Sequence, residues 1–223
     1  MYLFNQNLEK IQYKEENLIG TGSTSNVYKI NDNRCIKVLN NKYEFNIEIL
    51  DIIKNMQLEN YYKIYNYLYN KNKKIKGYEI EYYKKSNINI LNTSSEYTTY
   101  NFIRLYKSIL KLSKENIFVS DLHTDNVIIT NNEIVVIDTD DYGKSVLYGK
   151  EELQERNIKT LLTLFANLYI ESLSHDLDIS EILYLTKKIQ CTFDSKNINE
   201  TVNNIPKTLT KYKTPLQYLK YHI

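Results

Sequence analysis

The residue order of this chain predicts an α+β fold, with a β-rich first segment carrying one helix and a mainly helical remainder. Three observations carry that expectation. Residues 16–39 and 61–83 read as short strands broken by Gly, Asn and Lys turns. Residues 43–56 between them repeat apolar side chains at helical spacing. After Lys84-Lys85-Ser86-Asn87 long helical patterns take over, interrupted by one hairpin signal. The expected organisation is one domain over 1–223, made of a small first lobe at 1–83 and a larger one at 84–223.

Each element has its own signal. Glu16 to Ile30 reads as strand, glycine-containing turn and strand, and Asn31-Asp32-Asn33 turns the chain into Arg34–Leu39. Over Tyr43–Met56, Phe45, Ile49, Ile52, Ile53 and Met56 share one helical face. Tyr61–Tyr69 and Ile75–Tyr83 form a hairpin across Asn70–Lys74, whose lysines read as a solvated turn rather than a basic patch. Thr93-Ser94-Ser95-Glu96 is a capping-box signature ahead of a helix with Phe102, Leu105, Tyr106, Ile109 and Leu110 on one face. Val127–Thr130 and Glu133–Ile137 flank Asn131-Asn132, a tight hairpin whose turn residues tolerate φ > 0. Residues 151–172, with Leu161, Leu162, Leu164, Phe165 and Leu168, read as a buried helix, and 180–190 and 214–221 as further helices.

Composition narrows the class. Aliphatic and aromatic residues make up 42% of the 223, too many for a disordered chain. A net charge of +2 gives no strong pull toward nucleic acid or an anionic membrane, and no apolar run is long enough to span a bilayer. Cys35 and Cys191 are too few and too distant for a disulfide framework or a zinc site, which fits a reducing compartment. No Sec-type leader is visible at Met1, so the expectation is a cytoplasmic monomer, with export by a route lacking a cleavable signal left open. The 22 tyrosines follow the same AT-rich codon bias as the abundant Asn, Lys and Ile, and need no functional explanation.

The chemistry-bearing residues lie in two places. Asp121, Asn126 and Asp138 occupy Ser120–Ile129 and Ile134–Asp138: a carboxylate for an attacking hydroxyl, then an amide and a second carboxylate for a metal ion. The hairpin would hold Asn126 and Asp138 at its open end. Upstream, Gly20-Thr21-Gly22-Ser23-Thr24-Ser25-Asn26-Val27 is a low-bulk strand–turn–strand whose amides could reach anionic oxygens. Lys37 stands between Ile36 and Val38 in a strand, sharing a face with Cys35. It is either an exposed strand lysine or an ammonium for phosphate charge.

In this order the pieces resemble the protein-kinase-like superfamily, which includes protein kinases and the aminoglycoside and choline phosphotransferases. The resemblance covers about residues 15–170. It implies a bilobal fold, ATP and Mg²⁺. By resemblance Gly20, Gly22 and Ser25, with Ser23 among them, form the nucleotide loop, and Val27 and Cys35 lie against adenine. Lys37 meets phosphates, and the backbone of Glu81-Tyr82-Tyr83 reads the adenine edge. Asp121 is the catalytic base, with His123 beside it, and Asn126 and Asp138 are the metal ligands. The helix glutamate expected to pair with Lys37 is Glu48, although strict alignment on Ile49-Leu50 puts Asn46 there.

The departures matter as much. Val119-Ser120 replaces the His-Arg that precedes the catalytic Asp in protein kinases, removing the partner of an activation-loop phosphate. Thr139-Asp140-Asp141 replaces Phe-Gly, with Asp140 and Asp141 read as metal contacts or, in preference, as facing solvent. About a dozen residues separate Asp138 from the next helix and no Ala-Pro-Glu occurs, so the activation segment is minimal. The function expected is phosphoryl transfer from ATP to a protein Ser/Thr hydroxyl. A small-molecule acceptor and a nucleotide-binding pseudokinase are the alternatives. The short C-terminal part has no strongly acidic cluster for a polycationic antibiotic.

Overall fold

The computed structural model describes residues 1–40, 43–173, 178–181, 183–184 and 186–187, and in them the chain is a mixed α+β protein. Contacts divide it into two compact units, Met1–Gln57 with Tyr62–Lys84, and Leu58–Tyr61 with the residues from Lys85 on.

The first unit is built on a seven-stranded antiparallel sheet. Its strands are β1 (Tyr2–Phe4), β2 (Lys10–Gln12), β3 (Leu18–Thr21), β4 (Ser25–Asn31), β5 (Arg34–Leu39), β6 (Ile64–Tyr69) and β7 (Ile75–Glu81). They lie in the order β2-β1-β6-β7-β5-β4-β3. The three hairpin turns expected at 22–24, 31–33 and 70–74 all form. Strands β1 and β2 carry no pattern long enough to read. They pair because the Asn5 side chain accepts the backbone N–H groups of Asn7 and Glu9 and so closes the turn between them. Leu3, Tyr13, Tyr28, Ile36 and Leu68 pack into a core on this sheet.

Helix α1 (Ile47–Met56) starts four residues later than the periodicity suggests. The Asn46 side chain accepts the N–H of Ile49, which makes Asn46 the cap and leaves Tyr43–Phe45 outside the helix. Ile49, Leu50 and Ile53 are its buried residues, and Asp51 accepts a 2.7 Å hydrogen bond from the Tyr67 hydroxyl of β6.

Gly77 answers a steric demand. A Cβ there would stand 2.5 Å from the Lys37 carbonyl oxygen, so only glycine lets β7 lie against β5 at this point. Gly77→Ala is expected to cost about 1–3 kcal/mol and to displace Lys37 with its strand. Chemical denaturation checks the first effect, and amide shifts of residues 35–39 check the second.

The second unit rests on α2 (Ser95–Lys114) and α3 (Lys150–Leu173). They bury Phe102, Leu105, Ile109 and Leu112 against Leu161, Leu162, Phe165 and neighbours, with Phe102 and Phe165 edge to face at 5.1 Å. The capping box shifts by one residue. Ser94, not Thr93, caps α2 by accepting the N–H of Tyr97, while the Thr93 hydroxyl bonds the Ile90 carbonyl and meets Thr98. Strands β9 (Val127–Ile129) and β10 (Ile134–Val136) form the expected hairpin. Its loop has four residues, Thr130–Glu133, and neither Asn131 nor Asn132 has positive φ. Thr130 is the reason: its hydroxyl accepts the N–H groups of Asn132 and Glu133 and folds the loop without a left-handed residue. Short strands β8 (Ile117–Phe118) and β11 (Gly143–Lys144) pair and fasten the stretch after Asp138. Of the two further helices, 179–181, 183–184 and 186–187 are helical within 180–190's neighbourhood, and 214–221 lies outside the described residues.

Residues 58–61 join the second unit through a buried amide pair. Asn60, at φ 60 and 4% exposed, donates to Asn101 Oδ1 at 2.5 Å and to the Ile134 carbonyl at 2.6 Å, while its own carbonyl accepts Val136 N–H. Asn101, fully buried, also accepts Ile134 N–H and donates to the Tyr97 carbonyl. Replacing Asn101 by Leu strands several buried polar groups at once and is expected to cost about 3 kcal/mol or more. A denaturant titration against wild type measures it, and a change under about 0.5 kcal/mol would show the pair to be dispensable.

Candidate active site

The loop between β8 and β9 carries the strongest concentration of chemistry. Asp121 is exposed and adopts φ 56, the left-handed region that a non-glycine residue enters only when its surroundings hold it there. What holds it is Asn126. The Asn126 side-chain amide donates to the Asp121 carbonyl at 2.7 Å and to Asp121 Oδ2 at 3.0 Å. His123 adds a third contact, with Nε2 3.2 Å from Asp121 Oδ1. Its Nδ1 accepts the N–H of Asp125, which places the ring proton on Nε2 in the neutral form and aims it at that carboxylate. Base position, amide and imidazole therefore form one hydrogen-bonded group.

The hairpin aligns the other half. Its ladder runs one step beyond β9 and β10, because Ile137 N–H donates to the Asn126 carbonyl at 2.9 Å. Asp138 is the next residue, so the open end of the hairpin brings the Asn126 and Asp138 positions together, as the sequence spacing predicts. Asp138 Oδ1 accepts the N–H of Asp140, starting a turn at Asp140-Asp141 that reverses the chain.

That turn corrects one expectation. Asp141 is exposed, yet it does not simply face solvent: its carboxyl lies close enough to Asp121 for the two charges to act on one another. Partial desolvation, then the charges of Asp121, Asp138 and Asp140, hold its pKa above the usual carboxylate range. The Ser120 hydroxyl donates to the Asp141 carbonyl and ties the turn to the loop. Ser120 did not stand out in the sequence as part of this group.

A further residue missed by pattern is Asn157 on α3, which is fully buried. Its Oδ1 accepts Val119 N–H at 2.9 Å, and its Nδ2 donates to Ser113 Oγ at 2.9 Å and to the Ile117 carbonyl at 2.8 Å. One side chain thus anchors the strand that leads into Asp121 to both long helices. An amide in register with Leu153 and Leu161 on the apolar face of the helix was the available signal.

The first unit contains the remaining candidates. Gly20 pairs with Val27 in the β3–β4 ladder, and the turn closes through Gly22 N–H to the Ser25 carbonyl at 2.8 Å. No glycine has positive φ, and a Cβ on Gly20 would meet only Val27 at 3.7 Å, an ordinary contact. At Gly22 the nearest atom, the Ser25 carbonyl oxygen, is 3.4 Å away. Folding of the hairpin therefore does not require glycine at position 20, which fits a requirement for open space above the loop. Ser23 is exposed at the tip, where its carbonyl accepts from the Asn40 side chain, and Ser25 is buried.

Lys37 is 3% exposed in the middle of β5, paired with Val27 and Tyr78, which rules out a solvated strand lysine. Glu48 lies exposed in the first turn of α1, and Asn46 serves as helix cap. Cys35 is buried, with its thiol against the Glu81 carbonyl at 3.6 Å, and burial pushes its pKa up to about 12. It is a neutral, small lining residue rather than a nucleophile. The Glu81 N–H donates to Lys63 and the Tyr82 N–H to Asn33, while the Tyr83 hydroxyl bonds Glu81 Oε2.

Asn126 and Asp138 offer hard oxygen donors of the kind Mg²⁺ takes. Among the described residues no three His, Cys, Asp or Glu side chains converge into a metal cage. Among the described residues no helix is long and apolar enough to cross a membrane. No protein-family model matches this sequence, and no curated protein matches it.

Proposed function

We propose that the chain is an ATP- and Mg²⁺-dependent phosphotransferase with a bilobal kinase-like fold, acting on a Ser or Thr hydroxyl of a protein. The observation that carries the reading is Asp121, held in a left-handed conformation by the Asn126 amide at the end of the hairpin that also bears Asp138. A structure that maintains local strain at an exposed carboxylate, rather than relaxing it, supports a chemical role for that group.

In this reading Asp121 orients the acceptor hydroxyl and takes its proton as the oxygen attacks the γ-phosphorus. The Asn126 amide nitrogen is committed to Asp121, so the Oδ1 of the same amide would be the atom offered to a metal ion. Mg²⁺, when bound through Asn126 and Asp138, offsets the charge that builds on the phosphate oxygens. Lys37 supplies the buried ammonium for the nucleotide phosphates, and the open turn at Gly20–Ser25 supplies backbone N–H groups. His123 steadies the Asp121 carboxylate through Nε2.

A second reading keeps this chemistry and makes the acceptor a small alcohol, favoured by His123 beside Asp121 and by the Asp138-Thr139-Asp140 string. Incubation with γ-labelled ATP and a lysate separates the two. Label in protein bands supports the first reading, and label confined to the small-molecule fraction supports the second. Mg-ATP binding with no label transferred to any acceptor overturns both in favour of a nucleotide-binding module.

A further inference from the structure

We propose that one face of the sheet at β2, β1 and β6 binds single-stranded nucleic acid, with aromatic rings stacking on bases and lysines meeting phosphates. The proposal stands apart from the phosphotransferase reading. Its residues all belong to the first unit, and none has been given a part in phosphoryl transfer.

Strand register builds the face. Phe4 stands opposite Lys10 of β2 and Tyr69 of β6, and Tyr2 stands opposite Gln12. Paired residues project from the same side of a sheet, so these five side chains share one face. Leu3, Ile11 and Leu68 project from the other side and pack in the core, which turns the first face away from that core. There Tyr2, Phe4 and Tyr69 are half-buried, and Lys10 and Gln12 are exposed. Tyr2 and Phe4 meet edge to face with ring centroids 5.5 Å apart. Adjacent strands lie about 4.8 Å apart, so the rings form one patch rather than scattered points.

Positive charge surrounds that patch. Between Glu59 and Glu79 stand five lysines, at 63, 71, 73, 74 and 76, and no carboxylate, an excess that the overall net charge of +2 conceals. Lys71, Lys73 and Lys74 are exposed on the β6–β7 turn. Asn70 fixes this turn by accepting the N–H groups of Asn72 and Lys74 at 2.9 and 3.0 Å, so the lysines are displayed on a set backbone. The turn is also beside the rings: Lys10 Nζ lies 4.2 Å and Lys71 Nζ 5.5 Å from the centre of the Tyr2 ring. Glu9, the carboxylate next to Lys10, is engaged by Asn5 Nδ2 at 2.6 Å.

Rings and charge together select the partner. An acidic peptide would use the lysines and leave the rings idle. A membrane surface calls for protruding apolar side chains, whereas Tyr2 and Phe4 lie against each other with lysines over Tyr2. A duplex hides the faces of its bases. A single strand presents bases and phosphates in alternation, and an aromatic ring accepts any base. Exposed lysine–ring contacts are weak, so a base can take the ring face while the ammonium moves to a phosphate.

The test uses the full chain and fluorescein-labelled oligothymidylate and oligouridylate of about twelve nucleotides, followed by anisotropy. Competitors are a duplex of the same length, an oligoglutamate and phosphatidylserine vesicles. Saturable binding of a single strand, about fivefold or more tighter than of any competitor, is expected. A preference for oligouridylate assigns RNA and one for oligothymidylate assigns DNA, and either supports the face. Tyr2→Ala is expected to weaken binding about 5- to 100-fold with its salt dependence unchanged. Lys10→Gln and Lys71→Gln, at exposed sites that leave β1 intact, are each expected to lower the slope of log K against log salt by about 0.7. A second measurement separates stacking from charge. Ring-proton resonances of Tyr2, Phe4 and Tyr69 should move upfield with oligothymidylate and not with inorganic polyphosphate, which carries the charge without bases. No binding, equal affinity for the duplex, tighter binding to oligoglutamate or vesicles, or ring shifts equal with polyphosphate would each overturn the proposal.

Discussion

Asp121→Asn should lower γ-phosphate transfer by about 10²–10⁴-fold while leaving the fold intact. The side chain is exposed, so no packing is lost, and Asn tolerates the left-handed backbone that Asp121 adopts. The change removes the proposed proton acceptor and little else. Asp121→Ala is less clean, because alanine at φ 56 adds about 1–2 kcal/mol of backbone strain. Asp138→Ala should act differently, by raising the Mg²⁺ concentration needed for half-maximal rate. Initial rates with labelled ATP across a Mg²⁺ series distinguish the two residues. Wild-type rates in Asp121→Asn would remove the proposed base.

Asn157→Ala should be the most damaging substitution away from the loop. It deletes three hydrogen bonds at a fully buried position and leaves Val119 N–H and the Ile117 carbonyl facing an apolar interior. At about 1–3 kcal/mol for each stranded group the loss is about 3 kcal/mol or more, a fall in Tm on the order of 10 °C for a chain of this length. Ser113→Ala removes only one partner of the same network and should cost about 1 kcal/mol. Transfer activity of Asn157→Ala below its melting transition is the second readout. If Asn157 positions the loop, activity falls well beyond what the folded fraction explains. A melting temperature within about 1 °C of wild type would show that Val119 is held by other means.

Much of the secondary structure was legible because its signals are local. The β9–β10 hairpin shows in two β-branched runs around a polar turn, and α3 shows in a long apolar repeat that burial then bears out. Errors cluster where a single side chain decides a boundary. Asn46 starts α1 late, Ser94 takes the cap from Thr93, and Thr130 gives the hairpin a loop that needs no positive φ. Strands β1, β2, β8 and β11 have two or three residues each, too few for any period to show.

The site divides in the same way. Asp121 and Asn126 meet because five residues separate them in one loop, and Asp138 follows from hairpin register. Asp141 comes within the field of Asp121 only because the chain turns at Asp140, and Asn157 reaches Val119 from 38 residues away. No local pattern encodes such meetings. Lys37 was ambiguous on its own strand, since the sequence of β5 does not show that consecutive residues on both of its faces are buried.

The stretch from Thr139 to Gly149 has a consequence for how such a protein would be governed. Tyr142 N–H bonds the Thr139 carbonyl, Gly143 and Lys144 pair with Phe118 and Ile117, and Ser145 and Asn116 exchange two hydrogen bonds. These ties hold the stretch at both ends and leave Val146 and Leu147 exposed between them. A phosphotransferase with so short and anchored a stretch would have little there to store and release. Its output would scale with how many copies exist and how long they last, so synthesis, turnover and access to substrate become its only dials.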